Sequence, residues 1–162
     1  MRTTKLDQLI TVGSQPSIMQ IRELSRRGFR SIVNLRRDGE RGESMKPADE
    51  GRTALEAGLE YGHVPISLEE LTPEVVERFR REMDRLPTPV YVHCGEGTRA
   101  RAMAIVHVAI EADRTWDEVL EIAASLGLAP DCERTREHIR RYMEAHWALE
   151  LERMRTFRWV CH

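Results

Sequence analysis

The stretch Pro89-Val90-Tyr91-Val92-His93-Cys94-Gly95-Glu96-Gly97-Thr98-Arg99-Ala100-Arg101 constrains the fold more than any other part of the chain. Val90 to Val92 is a β-branched and aromatic run after a proline, and it reads as a buried strand. Two glycines follow, then an apolar segment from about Thr98 to Glu111 that has the length of a helix. A strand, glycine loop and helix in that order aim backbone N–H groups inward, and the helix N-terminus adds positive potential. Cys94 stands where the strand ends, inside that field. The ordinary cysteine pKa of about 8.5 falls to roughly 3.5–7.5 in such surroundings. A lone cysteine at a strand end is ordinarily a small buried hydrophobe. Gly95, Gly97, Arg99 and Arg101 together argue for more. They predict an anion-binding loop over residues 95–99 with Cys94 as its nucleophile.

The rest of the chain alternates around this turn. Leu9 to Val12 reads as a first strand, closed by Gly13. Ser17 is an N-cap for a helix from Ile18 to Arg27, with Ile18, Ile21, Leu24 and Ser25 on one face, and Gly28 ends it. Arg30 to Leu35 is a second strand. The polar segment 36–43 leaves its carboxyl end, where open α/β sheets hold ligands, so it is either a solvated loop or part of a site. A short helix spans Pro47 to Ala57. Glu60 to Ile66 is a third strand, and Pro65 makes it an edge strand or ends it early. His63 reads as packed or surface. Thr72 and Pro73 open a helix that runs to about Leu86. Thr115 and Glu118 form a capping box for the next, through Leu126. A long helix closes the chain, from Glu133 to about Arg158, with a stripe of Ile139, Tyr142, Met143, Trp147, Leu151, Met154 and Phe157. Its last turns suit packing against a second copy, a homodimer through the C-terminal helix. Strands alternating with helices give an α/β fold with a mainly parallel central sheet flanked by helices.

Composition bounds the function. At 162 residues the chain is one domain with room for a core. A net charge of −2 gives no basic footprint for nucleic acid. No apolar run has the length of a membrane span, and no signal-peptide segment follows Met1. Three unpatterned cysteines, 94, 132 and 161, argue for a reducing cytoplasm over a disulfide framework. The scattered histidines predict no metal site, and nothing calls for a cofactor.

Several blocks carry a resemblance: Val12-Gly13-Ser14-Gln15-Pro16-Ser17; Ile32 to Arg36 with Asp38-Gly39-Glu40; Gly58 to Tyr61 with Val64-Pro65-Ile66; Leu71 to Glu74; and Val92-His93-Cys94 with Gly97 to Ala100. In this order, over residues 9–128, the chain resembles the cysteine-dependent tyrosine and dual-specificity phosphatases. More narrowly, it is similar to the bacterial beta-lactamase-hydrolase-like phosphatase domain, related to domains fused to NAD kinase. The helical extension 131–160 is not covered beyond Tyr142. The resemblance implies attack of the Cys94 thiolate on phosphorus and a phosphocysteine intermediate. It implies that the amides of Gly95, Glu96, Gly97 and Thr98, together with Arg99, hold the phosphate of a phosphorylated protein or small molecule. His93 would orient the loop and help keep the thiol ionised.

Two departures leave alternatives open. The superfamily places its arginine six residues after the cysteine, where this chain has Ala100. Arg99 comes five after, as in the narrower family, and Arg101 seven after, about 200° round the helix from Arg99. The shorter spacing also matches rhodanese-like sulfurtransferases, in which a persulfide on Cys94 would be the carrier. The superfamily's general acid is an aspartate on an upstream loop, and the matching loop offers only Glu69 and Glu70. Glu70 ranks first as proton donor, then Glu69, then Asp38; Arg36 is a further site candidate. Three readings remain: a phosphatase, a phosphate-binding module without turnover, and a sulfurtransferase.

Overall fold

Strand β5 (Val90–His93) runs down the middle of a five-stranded sheet, with all its residues buried. It lies parallel between β2 (Ile10–Gly13) and β3 (Ser31–Asn34), and β4 (Glu60–His63) continues the parallel set beyond β3. On the far edge β1 (Thr3–Lys5) joins β2 antiparallel. The structure is a computed structural model describing residues 1–67, 69, 71–127 and 133–160, without the side chains of 134, 135, 138 and 157–160. Glu70, Cys132, Cys161 and the Phe157 side chain therefore lie outside it. The registers Gly13↔His93 and Asn34↔His93 bring the carboxyl ends of three strands level just below Cys94.

Successive strand residues face opposite sides of a sheet. Ile32 and Tyr91 face α1 (Ile18–Arg26) and α2 (Pro47–Glu56), where they pack with Ile21, Leu24, Ala54 and Leu59. Val33, Val90 and Val92 face the larger core on the other side. That core is built from α3 (Pro73–Arg85), α4 (Thr98–Glu111), α5 (Trp116–Ser125) and α6 (Glu133–Val160). Helix α4 is buried along most of its circumference, including Ala100, Ala102, Met103, Ile105 and Val106, which explains its lack of a polar face. Ser17 and Thr115 close capping boxes, and Thr72 caps α3 ahead of Pro73. Ile139, Tyr142 and Met143 seat the first half of α6, whereas Trp147, Leu151 and Met154 are exposed. Among the described residues no helix is long and apolar enough to cross a membrane.

The structure corrects several boundaries. Strand β1 has no periodicity that three residues could display. The first core strand starts at Ile10 rather than Leu9, because Asp7 Oδ1 takes the N–H groups of both residues at 2.7 Å and turns the chain there. The β4 strand is an edge strand that stops at His63, before Pro65. Ile18 is exposed at the first turn of α1, while Ser25 of the predicted face donates to the Ala57 carbonyl at 2.7 Å.

Candidate active site

The loop after β5 is shaped by contacts that exclude side chains. Gly97 is the N-cap of α4 at φ +98, and a Cβ there would lie 3.0 Å from the Gly13 carbonyl carbon. Only glycine reaches that conformation without strain. The Gly97 N–H donates to Cys94 Sγ at 3.2 Å, so the helix start bends back over the sulfur. Cys94 is 2% exposed. The Gln15 N–H holds the Gly95 carbonyl at 3.1 Å from below.

Cys94 lies at the base of a cavity of about 470 Å³ lined by Gly95, Glu96, Thr98, Arg99, Arg36 and Glu40, with Arg37, Arg41, Ser67 and Glu69 at its sides. Arg99 meets Glu40 fork to fork, Nη1 to Oε1 at 2.7 Å and Nη2 to Oε2 at 2.5 Å. Its Nη1 also donates to the Ile66 carbonyl at 2.8 Å. The Glu40 hydrogen bonds, and then the Cys94 charge, hold the Arg99 guanidinium above its ordinary range against the opposing effect of burial. Burial pulls the Glu40 carboxyl upward, but the Arg99 fork, the Arg37 N–H and the charges of Arg99 and Arg36 bring it down to about 2. Arg36 is 2% exposed; its Nη2 donates to the carbonyls of Glu40 and Arg41 at 3.2 and 3.3 Å. Thus the buried Arg36 folds the polar loop back over the sheet edge, and the loop delivers Glu40 to Arg99. Of residues 36–43, Arg36, Arg37, Glu40 and Arg41 line the cavity that holds Cys94.

The predicted residues divide clearly. Cys94, Gly95, Glu96, Thr98, Arg99 and Arg36 line the cavity, and Gly97 bonds the sulfur. Glu69 is exposed at the cavity wall, and Glu70 is not among the described residues. Asp38 is exposed in a turn and is not among the residues that line the cavity. Arg101 points elsewhere, with its Nε buried and unpartnered and no side in the cavity. His93 lies under the loop, fully buried, with Nδ1 3.2 Å from the Cys94 carbonyl oxygen and Nε2 2.5 Å from Glu50 Oε1. Sequence reasoning did not single out Glu40, Glu50 and Gln15, nor the cavity-lining Arg37, Arg41 and Ser67. Glu50 had a signal, because it sits in phase with Pro47, Gly51 and Ala54 on the buried stripe of α2. A carboxylate on a buried stripe demands a partner. Among the described residues no three metal-ligating side chains cluster.

A mainly parallel sheet ending in a cysteine, a glycine loop and a helix with an arginine at its first turn is an arrangement of the tyrosine-phosphatase-like fold. A DUF442 protein of Shewanella putrefaciens CN-32 superposes with a TM-score of 0.73 at 21% identity, covering 88% of this chain and 87% of its own. Tk-PTP, a protein tyrosine phosphatase, superposes with a TM-score of 0.69 at 20% identity, covering 92% and 97%. At those identities the likeness shows the fold. The family described as beta-lactamase hydrolase-like protein, phosphatase-like domain, matches residues 2–111, and the chain belongs to it. A beta-lactamase hydrolase-like protein of Agrobacterium fabrum is 32% identical over 111 residues, 68% of this chain and 26% of the relative. The chain thus spans about a quarter of that relative's length. Family and fold together make the chain a phosphatase-like domain.

Proposed function

We propose that the chain hydrolyses phosphomonoesters through a phosphocysteine on Cys94. The sulfur forms a bond to phosphorus, the ester P–O bond breaks, and the departing oxygen takes a proton. Water then attacks phosphorus, and the thiolate leaves with inorganic phosphate released. The observation that carries this reading is the Gly97 N–H on Cys94 Sγ in a cavity that also holds the Arg99 guanidinium. The N–H donor and the guanidinium beside the sulfur suit the equatorial oxygens of the transition state. Arg99 suits a bidentate hold on phosphate, since Glu40 and Ile66 take only three of its N–H donors and its hydrogen bond to the Cys94 side chain sets the guanidinium beside the sulfur. Glu69 is the proton donor in this scheme, because it lines the cavity that holds Cys94 and Arg99. The substrate is a phosphorylated protein or small molecule.

The test compares wild type with Cys94→Ser in two assays: phosphate release from nitrophenyl phosphate, and sulfur transfer from thiosulfate to cyanide. Phosphate release by wild type alone, with a phosphoryl group trapped on Cys94 by acid quench, is the expected result. Equal phosphate release by both chains would remove Cys94 from the chemistry. Sulfur transfer without phosphate release would favour a persulfide on Cys94.

A further inference from the structure

Glu50 and His93 are both fully buried, at 0% exposure. Polar groups at that depth persist only when their hydrogen bonds are met. Glu50 Oε1 faces His93 Nε2 at 2.5 Å. Its Oε2 accepts from Gln15 Nε2 at 3.0 Å and from Asn34 Nδ2 at 3.4 Å. Tyr91 stacks on the imidazole, ring centroids 6.0 Å apart. The remaining ring nitrogen, Nδ1, meets the Cys94 carbonyl oxygen at 3.2 Å.

The acceptors dictate where the protons sit. A carbonyl oxygen only accepts, so Nδ1 carries a hydrogen. Nε2 and Glu50 then share one further proton, as imidazolium with carboxylate or as imidazole with carboxylic acid. Either arrangement leaves Nδ1–H on the Cys94 carbonyl. Without Glu50 a neutral imidazole can shift its single proton to Nε2 and turn a lone pair on that carbonyl. The consequence reaches the loop through the peptide plane. In a planar trans peptide the carbonyl and the N–H point in opposite directions. With the Cys94 carbonyl pinned beneath the loop, the Gly95 N–H of the same unit is aimed out of it. Gln15 repeats the device one unit later by holding the Gly95 carbonyl, which aims the Glu96 N–H.

We propose that Glu50 is a positioning residue: through His93 it holds the Cys94–Gly95 peptide so that the Gly95 N–H meets the substrate anion. This rests on the Cys94 reading above and assigns Glu50 no contact with substrate.

The experiment uses the whole chain as wild type, Glu50→Gln and Glu50→Met. Glutamine keeps the reach, and its amide can donate to Nε2, which preserves Nδ1–H. Methionine keeps the volume without the polar group. The readouts are ring protonation of His93 by nitrogen-15 NMR, tungstate affinity by calorimetry, and kcat and KM on nitrophenyl phosphate. Wild type and Glu50→Gln are expected to show a protonated Nδ1, with kcat within about threefold of each other. Glu50→Met is expected to move the proton to Nε2, weaken tungstate, and lower kcat by about tenfold or more with KM little changed. A bare Nδ1 in wild type would overturn the inference. So would a folded Glu50→Met chain with wild-type kcat and tungstate affinity. If Glu50→Met does not fold, wild type and Glu50→Gln decide: a kcat loss above about tenfold in Glu50→Gln with Nδ1 still protonated also overturns it. Absence of turnover in every chain, with tungstate weakened by Glu50→Met, would remove the phosphatase reading and leave the positioning role standing.

Discussion

Arg99 and Glu40 are held end to end, 59 residues apart in sequence, with two nitrogen–oxygen contacts of 2.7 and 2.5 Å. The pair is only partly exposed, 19% on each side chain, so water screens it weakly. Its geometry makes Glu40 a support for Arg99 rather than a stopper. The carboxylate takes the far end of the guanidinium and the Ile66 carbonyl takes one flank. The hydrogen bond of Arg99 to the Cys94 side chain sets the guanidinium beside the sulfur. Glu40→Ala should therefore lower kcat on nitrophenyl phosphate by about tenfold or more, not raise phosphate affinity. Tighter inhibition by inorganic phosphate in that variant would reverse the assignment.

The same pair sets an expectation for acid. The Glu40 carboxyl is held at about 2, below its ordinary value of 4.5. A depressed carboxyl contributes stability that is present above about pH 4.5 and is lost as pH falls toward 2. Glu40 thus stays ionised through the neutral range and cannot serve as proton donor there. An acid limb of the rate profile lying between pH 5 and 7 should persist unchanged in Glu40→Gln, which pH-rate profiles of the two chains would show.

Gly97 carries a third prediction. Its φ of +98 penalises any side chain, and a Cβ would press within 3.0–3.1 Å of the Gly13 backbone, which cannot yield as a side chain could. Gly97→Ala should cost on the order of 1–3 kcal/mol in stability and pull the Gly97 N–H off Cys94 Sγ. Denaturant unfolding and nitrophenyl phosphate turnover should fall together. Gly127→Ala makes the contrast, because its φ is +72 but no atom of the described residues lies within 4 Å of the added Cβ. It should destabilise without touching turnover.

The central turn was legible because its constraints are local. A β-branched strand, two glycines and an apolar helix follow one another within a few residues, and so does the Arg99 register. The helix caps at Ser17, Thr72 and Thr115 were legible for the same reason. What could not be read depends on elements meeting across the sheet. Glu40 becomes a site residue only because buried Arg36 folds its loop over the β3 end. Gln15 matters because β2 ends level with β5. Asp38 and Glu40 are two residues apart on one polar loop, and the sequence reading ranks Asp38 third as proton donor and gives Glu40 no role. The turn instead sends Asp38 to solvent and Glu40 to the cavity. The α6 stripe reads as one continuous face, yet only its first half is buried, and the second half keeps a surface ion pair from Arg153 to Glu77 of α3. Beyond Trp147 the helix outruns the core.

Glu69 is the proton donor in the proposed scheme, and leaving-group dependence tests it. A dedicated general acid contributes typically ~10²–10⁴-fold, most of all where the leaving oxygen is basic. Glu69→Gln should slow alkyl phosphates far more than nitrophenyl phosphate. Arg101→Lys, outside the cavity, should change neither by more than about threefold, whereas Arg99→Lys should cost on the order of 10² on both. A uniform small loss across all leaving groups in Glu69→Gln would take the proton-donor role from it.

The seating of α6 is expected to weaken in mild acid, through His146. Arg80 donates from Nη1 to His146 Nδ1 at 2.6 Å, and since a guanidinium cannot accept, the imidazole must keep Nδ1 bare. Burial first, and then the charges of Arg80 and Arg153, push the His146 pKa down, with Glu150 and Glu111 opposing. His107, on the neighbouring face of α4, is also pushed down by burial. A folded pKa below the unfolded value of 6.5 means that the unfolded chain binds more protons in mild acid. The stabilisation is complete above about pH 6.5 and declines as pH falls below it, ahead of most carboxylates. The thermal midpoint should be level from pH 8 to 7 and drop between about 6.5 and 5. His146→Gln keeps an acceptor for Arg80 without a proton to gain, so it should shrink that drop. A wild-type midpoint that stays flat across the window would rule out imidazole protonation as a weak point of the α3–α6 contact.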